Sequence, residues 1–184
     1  MKKLNSIELF AGAGGLAIGL HEAGFLPKAI VEFNKDACQT IRSNKLFGYG
    51  NGLYEGDIAK FDYLSVSESI DLISGGPPCQ PFSLGGKAKG YDDSRDMFPE
   101  AVRAIREKRP RAFVFENVKG LLRKSFFEYF EYVILQLQYP SISKRTKEDW
   151  QEHRTRLERY HTQNKHTELE YNVIYRLVNA ANYG

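Results

Sequence analysis

Short apolar runs, each followed by a helical pattern, dominate the first part of the chain. Residues 6–10 form one such run, which ends in the glycine-rich segment 11–15, and apolar residues then recur at helical spacing. A second run, residues 29–32, precedes another helical pattern, for which Asn34 or Asp36 is a suitable N-cap. This pattern predicts a strand, a helix and a second strand in succession.

Further apolar runs continue the alternation toward the end of the chain. Strands are predicted at residues 70–74, 112–116 and 172–178, with a weaker one near Leu53, and a helix is predicted at residues 125–138. Strands that alternate with helices are typical of a mostly parallel sheet with helices on both faces. The predicted fold class is therefore α/β, with one domain over residues 1–184.

Two polar segments interrupt this spacing. Residues 80–96 are rich in glycine and charge and have little apolar periodicity, so they are predicted to form a long loop of the kind that often acts as a lid. Residues 144–168 hold seven basic and five acidic side chains, which predicts an exposed helical insertion. Its histidines, His153, His161 and His166, lack the ligand spacing of a metal site and are expected to be solvated.

The composition is that of a globular protein. The 184 residues are 42% hydrophobic and 27% charged, which excludes an intrinsically disordered chain. The sequence shows no membrane-length apolar run and no signal-peptide core, so we expect a cytoplasmic protein with no membrane partner. The two cysteines are too few for a disulfide scaffold or a thiolate zinc site, and no metal is expected. The formal net charge of +3 is compatible with nucleic acid but does not identify a partner.

The glycine turn is suited to a nucleotide-like ligand. Gly12, Gly14 and Gly15 follow a predicted strand and open a predicted helix, so bare backbone and unpaired N–H groups can approach a ligand. Glu32 ends the second predicted strand, where a carboxylate can accept hydrogen bonds from ribose hydroxyls. The alternative is that the glycines only provide the positive φ angles of a tight turn and that Glu32 is an ordinary solvated carboxylate. The pattern fits NAD and S-adenosylmethionine equally well.

Cys79 is the stronger candidate of the two thiols. It lies in the segment Gly75-Gly76-Pro77-Pro78-Cys79-Gln80-Pro81-Phe82-Ser83, at the carboxyl end of a predicted central strand, where open α/β sheets bind ligands. Prolines on both sides restrict the backbone, and a thiolate placed there can act as a nucleophile. Cys38 lies on a predicted helical face and is expected to be an inert, small apolar residue.

Glu116 follows the apolar end of the next predicted strand. Desolvation there would favour a protonated carboxyl, which can donate to a ring nitrogen beside a thiolate nucleophile. A structural carboxylate near Asn117 or Lys119 is the alternative.

Taken in order, these segments resemble the cytosine-C5 DNA methyltransferase family. The resemblance covers residues 7–122 and resumes at residues 179–184. The segments that carry it are Glu8-Leu9-Phe10-Ala11-Gly12-Ala13-Gly14-Gly15, Glu32, Gly56-Asp57-Ile58, Gly76-Pro77-Pro78-Cys79-Gln80-Pro81-Phe82-Ser83, Arg95-Asp96-Met97-Phe98 and Glu116-Asn117-Val118. An NAD enzyme would leave the segments around Cys79 and Glu116 without a purpose.

The resemblance implies a Rossmann-like fold that binds S-adenosylmethionine and releases S-adenosylhomocysteine. By the same resemblance Glu32 holds the ribose, Phe33 packs on the adenine and Asp57 accepts from the adenine amine. The implied cofactor-binding residues are Phe10, Ala11, Gly12, Gly14, Gly15, Leu16, Glu32, Phe33, Asp57, Ile58 and Pro78.

The resemblance also implies a covalent mechanism on double-stranded DNA. Cys79 would add to C6 of cytosine and Glu116 would hold the ring N3, which makes C5 nucleophilic enough to take the methyl group. Because these atoms cannot be reached within a stacked duplex, the target base must be flipped out of the helix.

Two departures from the family pattern affect the expected assembly. Family members normally continue beyond the Tyr-Gly pair into a glutamine and two arginines, a target-recognition region and a closing helix, whereas this sequence ends at Gly184. We therefore expect a fold that is incomplete at its C-terminus, a second polypeptide that carries the recognition region, and no activity without it. The insertion 144–168 is the second departure.

Other functions remain open at this point. The alternatives are a non-catalytic, cofactor-binding scaffold subunit and a tRNA cytosine-C5 methyltransferase. The expected location is the cytoplasm of a bacterium or phage-infected cell, with the protein on the nucleoid when in use, as in a restriction-modification system.

Overall fold

The computed structural model describes residues 4–44, 52–78, 96–163 and 168–183. Cys79, most of the predicted lid 80–96, His166 and Gly184 lie outside the described residues. The strands are β1 (Leu4–Leu9), β2 (Phe25–Glu32), β3 (Leu53–Glu55), β4 (Leu72–Gly75) and β5 (Ala112–Phe115). The α-helices are α1 (Gly15–Glu22), α2 (Lys35–Ser43), α3 (Phe98–Lys108), α4 (Phe127–Gln138) and α5 (Trp150–His161).

The strands form one parallel sheet in the order β3-β2-β1-β4-β5. The chain moves outward from β1 to β3 and then crosses back to β4, on the other side of β1. Because parallel crossovers are right-handed, α1 and α2 cover one face of the sheet and α3 covers the other. The predicted α/β class is confirmed. The strand order reverses between β1 and β4, which is where such sheets bind their ligands.

Two buried clusters hold the sheet and helices together. The first packs β1, β2 and β4 against the segment between β3 and β4, with Ile7, Leu9, Ile73 and Tyr63 at its centre. The second joins α3, α4 and α5 through the buried side chains Ile105, Tyr129, Val133, Trp150 and Leu157. Helix α5 therefore contributes to the core.

Local sequence explains where the first two helices begin. Gly14 is the N-cap of α1 and has a φ of 91°, a left-handed conformation that suits glycine. The Asn34 side chain accepts hydrogen bonds from the backbone N–H groups of Asp36 and Ala37 and caps α2, so Asn34, rather than Asp36, is the N-cap.

Strand β2 begins at Phe25, earlier than the predicted run 29–32. Pro27 lies inside it, opposite Ser6 of β1, and the register shifts between Ser6 and Ile7. β3 pairs with β2 only from Ile30 onward, so the N–H that Pro27 lacks falls where β2 has a single neighbour in the sheet.

The strand predicted at residues 172–178 is not present. This segment follows Tyr171, whose backbone N–H donates to the carbonyl of Gln138 and whose hydroxyl donates to the carbonyl of Pro110. Val173 packs on the second cluster and the Tyr175 ring contacts Phe130 edge-on, but Ile174 is 89% exposed. Apolar and polar residues do alternate along this segment, but among the described residues no neighbouring strand pairs with it.

The insertion contains the predicted helix and its described part is mostly exposed, but Trp150, His153 and Leu157 are buried. His153 is buried, and its Nε2 lies 2.7 Å from the Ile142 carbonyl oxygen while its Nδ1 lies 2.8 Å from the Tyr132 hydroxyl. His161 remains exposed and is hydrogen-bonded to the Tyr139 hydroxyl at 2.6 Å. The expectation that His153 is solvated was therefore wrong. Within the described ranges, no helix is long and apolar enough to cross a membrane.

Candidate active site

A cavity of about 650 Å³ opens at the carboxyl ends of the central strands. Its size is in the usual range for small-molecule and cofactor sites. It is lined by Phe10, Gly12, Val31, Glu32, Phe33, Asn34, Gly56, Asp57, Ile58, Gly76, Pro78 and Met97. The loops after β1, β2, β3 and β4 thus meet at one site, although they are far apart in sequence.

The turn after β1 brings backbone to the edge of this cavity. Phe10 and Gly12 both have left-handed backbones, with φ of 52° and 53°. Such a φ is uncommon for a residue with a side chain, so Phe10 is held in a strained conformation beside the cavity. The Gly14 N–H donates to the Ala11 carbonyl at 2.9 Å and closes the turn.

Glu32 ties this turn to the end of β2. Its Oε2 accepts a hydrogen bond from the Gly12 N–H at 2.7 Å, and its Oε1 accepts from the N–H groups of Phe33 and Asn34 at 2.8 and 2.7 Å. Three backbone donors therefore fix the carboxylate. Oε2 accepts only one of these hydrogen bonds, so this cavity-lining carboxylate can still accept from a ligand hydroxyl.

Phe33 and Asp57 supply an aromatic face and a second carboxylate. The Phe33 side chain lines the cavity and is 76% exposed, so the face of its ring is accessible. Asp57 Oδ1 accepts from the Ala59 N–H at 3.0 Å, which orients the carboxylate, and Ile58 is buried next to it. An exposed ring with two fixed carboxylates suits a nucleoside, whose base can stack and whose hydroxyl and amine groups can donate.

The segment after β4 is braced on both sides. A Cβ on Gly75 would overlap the carbonyl oxygen of Leu9, so only glycine allows β4 to lie this close to β1 at its end. The Asn117 side-chain amide donates to the Pro77 carbonyl at 2.8 Å, and the Met97 N–H donates to the Pro78 carbonyl at 3.2 Å. The backbone up to Pro78 is thus held at the cavity rim, and Cys79, the next residue in the sequence, lies outside the described residues.

Glu116 lies beside the same segment. Its backbone N–H donates to the Gly75 carbonyl at 3.0 Å, and its Oε2 would be 3.6 Å from a Cβ placed on Gly76. The side chain is exposed, so the desolvation expected from the preceding apolar strand does not occur in this structure. The reason is that β5 lies at the edge of the described sheet, where its end is open on one side.

The structure separates the predicted cofactor residues into two groups. Around the cavity it brings together Phe10, Gly12, Glu32, Phe33, Asp57, Ile58 and Pro78. The others lie in the glycine turn or the first turn of α1 and do not line the cavity; they are Ala11, Gly14, Gly15 and Leu16.

Sequence reasoning did not assign five of the lining residues to the site, namely Val31, Asn34, Gly56, Gly76 and Met97. Gly56, Gly76 and Met97 belong to the segments that carry the family resemblance, which was the available signal. Val31 and Asn34 adjoin Glu32 and Phe33 in sequence, but their local pattern indicates only a strand residue and a helix cap.

A buried carboxyl group links β1 and β4, the two strands that lead to the cavity. Glu8 in β1 accepts hydrogen bonds from the hydroxyls of Ser6, at 2.9 Å, and of Ser74 in the adjacent β4. Burial raises the pKa of Glu8, although both serine hydrogen bonds act to lower it. Over the described ranges, no group of three or more histidine, cysteine or carboxylate side chains could hold a metal ion.

Comparison with known proteins gives a consistent result. The family model described as C-5 cytosine-specific DNA methylase matches residues 4–139. The type II methyltransferase M.NgoMIV of Neisseria gonorrhoeae is 46% identical over 127 residues, which are 69% of this chain and 39% of that protein. M.AquIA, a type II methyltransferase of Picosynechococcus sp., is 37% identical over 191 aligned residues, which cover 100% of this chain and 66% of that protein.

A solved structure shares both fold and sequence with the chain. It is described as a DNA modification methyltransferase encoded within a prophage (E. coli), and it superposes with a TM-score of 0.59 at 31% identity. The match covers 72% of this chain and 37% of that one. The chain therefore spans between about two fifths and two thirds of the length of these proteins.

Proposed function

The chain belongs to the C-5 cytosine-specific DNA methylase family, and we propose that it forms the catalytic and cofactor-binding part of an enzyme that methylates C5 of cytosine in double-stranded DNA. The observation that carries this proposal is the shared cavity. It joins the nucleoside-type residues Glu32, Phe33 and Asp57 to Pro78, the residue directly before Cys79.

The residues of the cavity fit S-adenosylmethionine. Its adenine would stack on Phe33 and donate to Asp57, and its ribose hydroxyls would donate to Glu32. Phe10 and Pro78 would bound the remainder of the molecule. When bound, this cofactor supplies an electrophilic methyl group.

Cys79 is proposed as the nucleophile. Cytosine C5 is a poor nucleophile until a group adds at C6, and a thiolate is the cysteine species that can add there. The new C6–S bond moves electron density to C5, which then takes the methyl group. Removal of the C5 proton by a base restores the double bond and expels the thiolate. Support comes from the fixed backbone up to Pro78, which limits where the next residue can lie.

Glu116 is proposed to hold the cytosine ring at N3. Its carboxyl lies next to Gly76, on the β5 side of the segment that leads to Cys79. A protonated carboxyl there would donate to N3 and stabilise the negative charge that the addition at C6 creates. Exposure of Glu116 in this structure fits a group that is desolvated only when the flipped base covers it.

We propose that a strand outside the described residues pairs with β5 and completes the sheet. A cavity of about 280 Å³ separates this edge from residues 173–177, and Val114, Val118 and Ile174 expose 48%, 54% and 89% of their surface. An apolar edge of this kind is a template for a further strand. We propose that the polypeptide that fills it carries the target-recognition region, whether it is a continuation of the chain or a separate subunit.

Two measurements test these proposals. In calorimetry, we expect the 184-residue chain alone to bind S-adenosylmethionine weakly. In a transfer assay, it should transfer no labelled methyl group to duplex DNA. It should gain this activity when the complementary polypeptide, the one that carries the target-recognition region, is added to form the complete assembly. Transfer to tRNA but not to duplex DNA would replace the proposed substrate. Cofactor binding without transfer to any nucleic acid, even in the complete assembly, would favour the scaffold.

Hydrogen exchange tests the open edge separately. Since residues 172–178 show no backbone hydrogen bonds to other described residues, their amides should exchange much faster than those of β2 in the chain alone. Addition of the complementary polypeptide should protect them. Slow exchange of residues 172–178 in the isolated chain would show that the edge is already paired.

A further inference from the structure

We propose that a basic cleft in the insertion, formed by residues 145–159, binds backbone phosphates of duplex DNA beside the target base. This inference rests on the proposed function, because it assumes that duplex DNA is the substrate. It assigns a role to a segment that the cofactor site and the catalytic residues do not use.

The cleft is built by the loop before α5 and one face of that helix. Its volume is about 400 Å³, and it is lined by Arg145, Lys147, Glu148, Glu152, Thr155, Arg156 and Arg159. Glu152, Thr155, Arg156 and Arg159 are three or four residues apart along α5, so they share a face of the helix. Loop and helix thus converge on one concave, charged surface.

Both acidic residues of the cleft are engaged by neighbours. Glu148 accepts from Arg156 through both oxygens at 2.7 Å and from the Arg145 backbone N–H at 2.8 Å. The Arg156 guanidinium keeps the pKa of Glu148 at about 2, so this carboxylate stays ionised and paired. Glu152 accepts from the Asp149 N–H in the capping box of α5. The cleft is therefore rigid at its base.

The remaining positive charges of the cleft are not neutralised. In the ranges that the structure describes, no carboxylate lies within ion-pair distance of the exposed side chains of Arg145, Lys147 or Arg159. A different face of α5 shows the contrast, because Arg154 there lies within 4.0 Å of carboxylates of Glu128, Glu131 and Glu158. Three basic side chains without a carboxylate partner, Arg145, Lys147 and Arg159, thus line the cleft together.

A chain of contacts connects the start of α5 to the rim of the active-site cavity. The Pro78 carbonyl accepts from Met97, which follows Asp96, and the Asp96 carboxylate accepts from the buried Tyr129 hydroxyl. The Tyr129 ring in turn packs edge-on against Trp150, the first residue of α5, with ring centroids 6.4 Å apart. Only a few side chains therefore separate the rim of the cavity from the loop that carries Arg145 and Lys147.

Phosphodiesters are the ligands that this arrangement fits. Three exposed cations around a hydrogen-bonded base can each contact a phosphate along a DNA strand, and such contacts position DNA without reading its sequence. An acidic protein partner is the alternative, and the test below excludes one of the two.

The test compares duplex DNA binding by two variants with equal charge loss. The first is Arg145→Ala/Lys147→Ala/Arg159→Ala. The control is Lys28→Ala/Lys108→Ala/Arg111→Ala, which removes three positive charges beside the segment 66–71 that precedes β4. Affinity for a mixed-sequence duplex oligonucleotide is measured between about 50 and 200 mM salt, and folding is checked by thermal unfolding and by S-adenosylmethionine binding.

The first variant should bind DNA on the order of tenfold or more weakly and lose about 2 to 3 from the slope of log affinity against log salt, since each lost phosphate contact removes about 0.9. The control should keep most of the slope and both variants should bind the cofactor. Equal losses in both variants, or no loss in either, would overturn the cleft while leaving the proposed function intact. Failure of the complete assembly to bind any duplex would overturn both proposals. An intact salt slope in the first variant would overturn the cleft and favour an acidic protein as its partner.

Discussion

The carboxylate of Glu32, at the end of β2, accepts a hydrogen bond from the backbone N–H of Gly12, in the turn after β1, at 2.7 Å. This contact joins the two loops that form the nucleoside half of the cavity. It also explains why a glycine turn and an acidic residue at the end of the next strand belong together. The carboxylate shapes the turn first and can then accept from a ribose.

Replacement of Glu32 should therefore weaken cofactor binding strongly. Glu32→Ala removes the ribose acceptor and releases three N–H donors, and hydrogen bonds to a charged group contribute about 1.5–3 kcal/mol each. We expect the Kd for S-adenosylmethionine, measured by calorimetry, to rise at least about tenfold. Glu55→Ala is the matched control, because Glu55 ends β3, pairs with Arg42 and does not line the cavity. Similar affinities for the two variants would contradict the assignment of Glu32.

Phe33→Ala should weaken cofactor binding without destabilising the fold. Its ring is 76% exposed, so truncation removes little buried surface, but stacking of an aromatic ring on a base contributes about 1–3 kcal/mol. The Kd for S-adenosylmethionine should rise by about 5- to 150-fold while Tm stays near that of the unmodified chain. Leu64→Ala, at a site 82% exposed and outside the cavity, should change neither. An unchanged Kd in Phe33→Ala would leave the exposed ring without a role.

Some of this architecture follows from the sequence alone. Local patterns predict β1, β2, β4 and β5, and more weakly β3, together with the glycine turn and the Asn34 cap, because each depends on neighbouring residues. Segments predicted from the same kind of pattern fail where a distant partner decides the outcome. Residues 172–178 alternate like a strand, but a strand forms only where another backbone pairs with it.

The sequence also did not predict correctly whether two polar side chains, His153 and Glu116, are buried. His153 is in a polar insertion, and nothing near it in sequence shows that Tyr132 and the Ile142 carbonyl enclose it. Glu116 follows apolar residues, and its exposure depends on the position of β5 at the sheet edge. Tertiary neighbours set both environments, so the local sequence misleads in opposite directions for the two residues.

His153 should make the stability of the chain depend on pH. A carbonyl can only accept, so Nε2 donates to the Ile142 carbonyl, and in the neutral ring Nδ1 then accepts from the Tyr132 hydroxyl. Burial lowers the pKa of His153, so the unfolded chain binds a proton before the folded chain does. The free energy of unfolding should stay constant at pH values above the pKa of His153 in the unfolded chain, about 6.5. It should decrease as the pH falls below that value.

Denaturant unfolding at several pH values between about 5 and 8 measures this effect. His153→Gln should show a weaker pH dependence than the unmodified chain, together with a destabilisation of about 1–3 kcal/mol at neutral pH if the amide leaves one partner unpaired. His161→Gln is the control, because His161 is exposed. Equal pH dependence in the chain and in His153→Gln would show that another group is responsible.

Glu116→Gln should separate catalysis from cofactor binding. An amide cannot supply a proton to N3, and general acid catalysis contributes about 10²–10⁴ in rate. In single-turnover reactions of the complete assembly, methyl transfer should slow by at least about 10² while the Kd for S-adenosylmethionine stays unchanged. Glu128→Gln, on the exposed side of α4, should keep its rate. A normal rate in Glu116→Gln would reduce this residue to a structural role.

The covalent step gives the most direct test of the central claim, and the two cysteines provide a matched pair. Cys38 is buried, its Sγ lies 3.6 Å from the Glu32 carbonyl oxygen, and burial raises its thiol pKa, so it should be inert. The measurement is denaturing mass spectrometry of the complete assembly after reaction with S-adenosylmethionine and a duplex containing 5-fluorocytosine, in which fluorine blocks the final elimination. We predict a stable protein–DNA adduct with the unmodified chain and with Cys38→Ser, and none with Cys79→Ser. An adduct that persists in Cys79→Ser, or that disappears only in Cys38→Ser, would contradict the account.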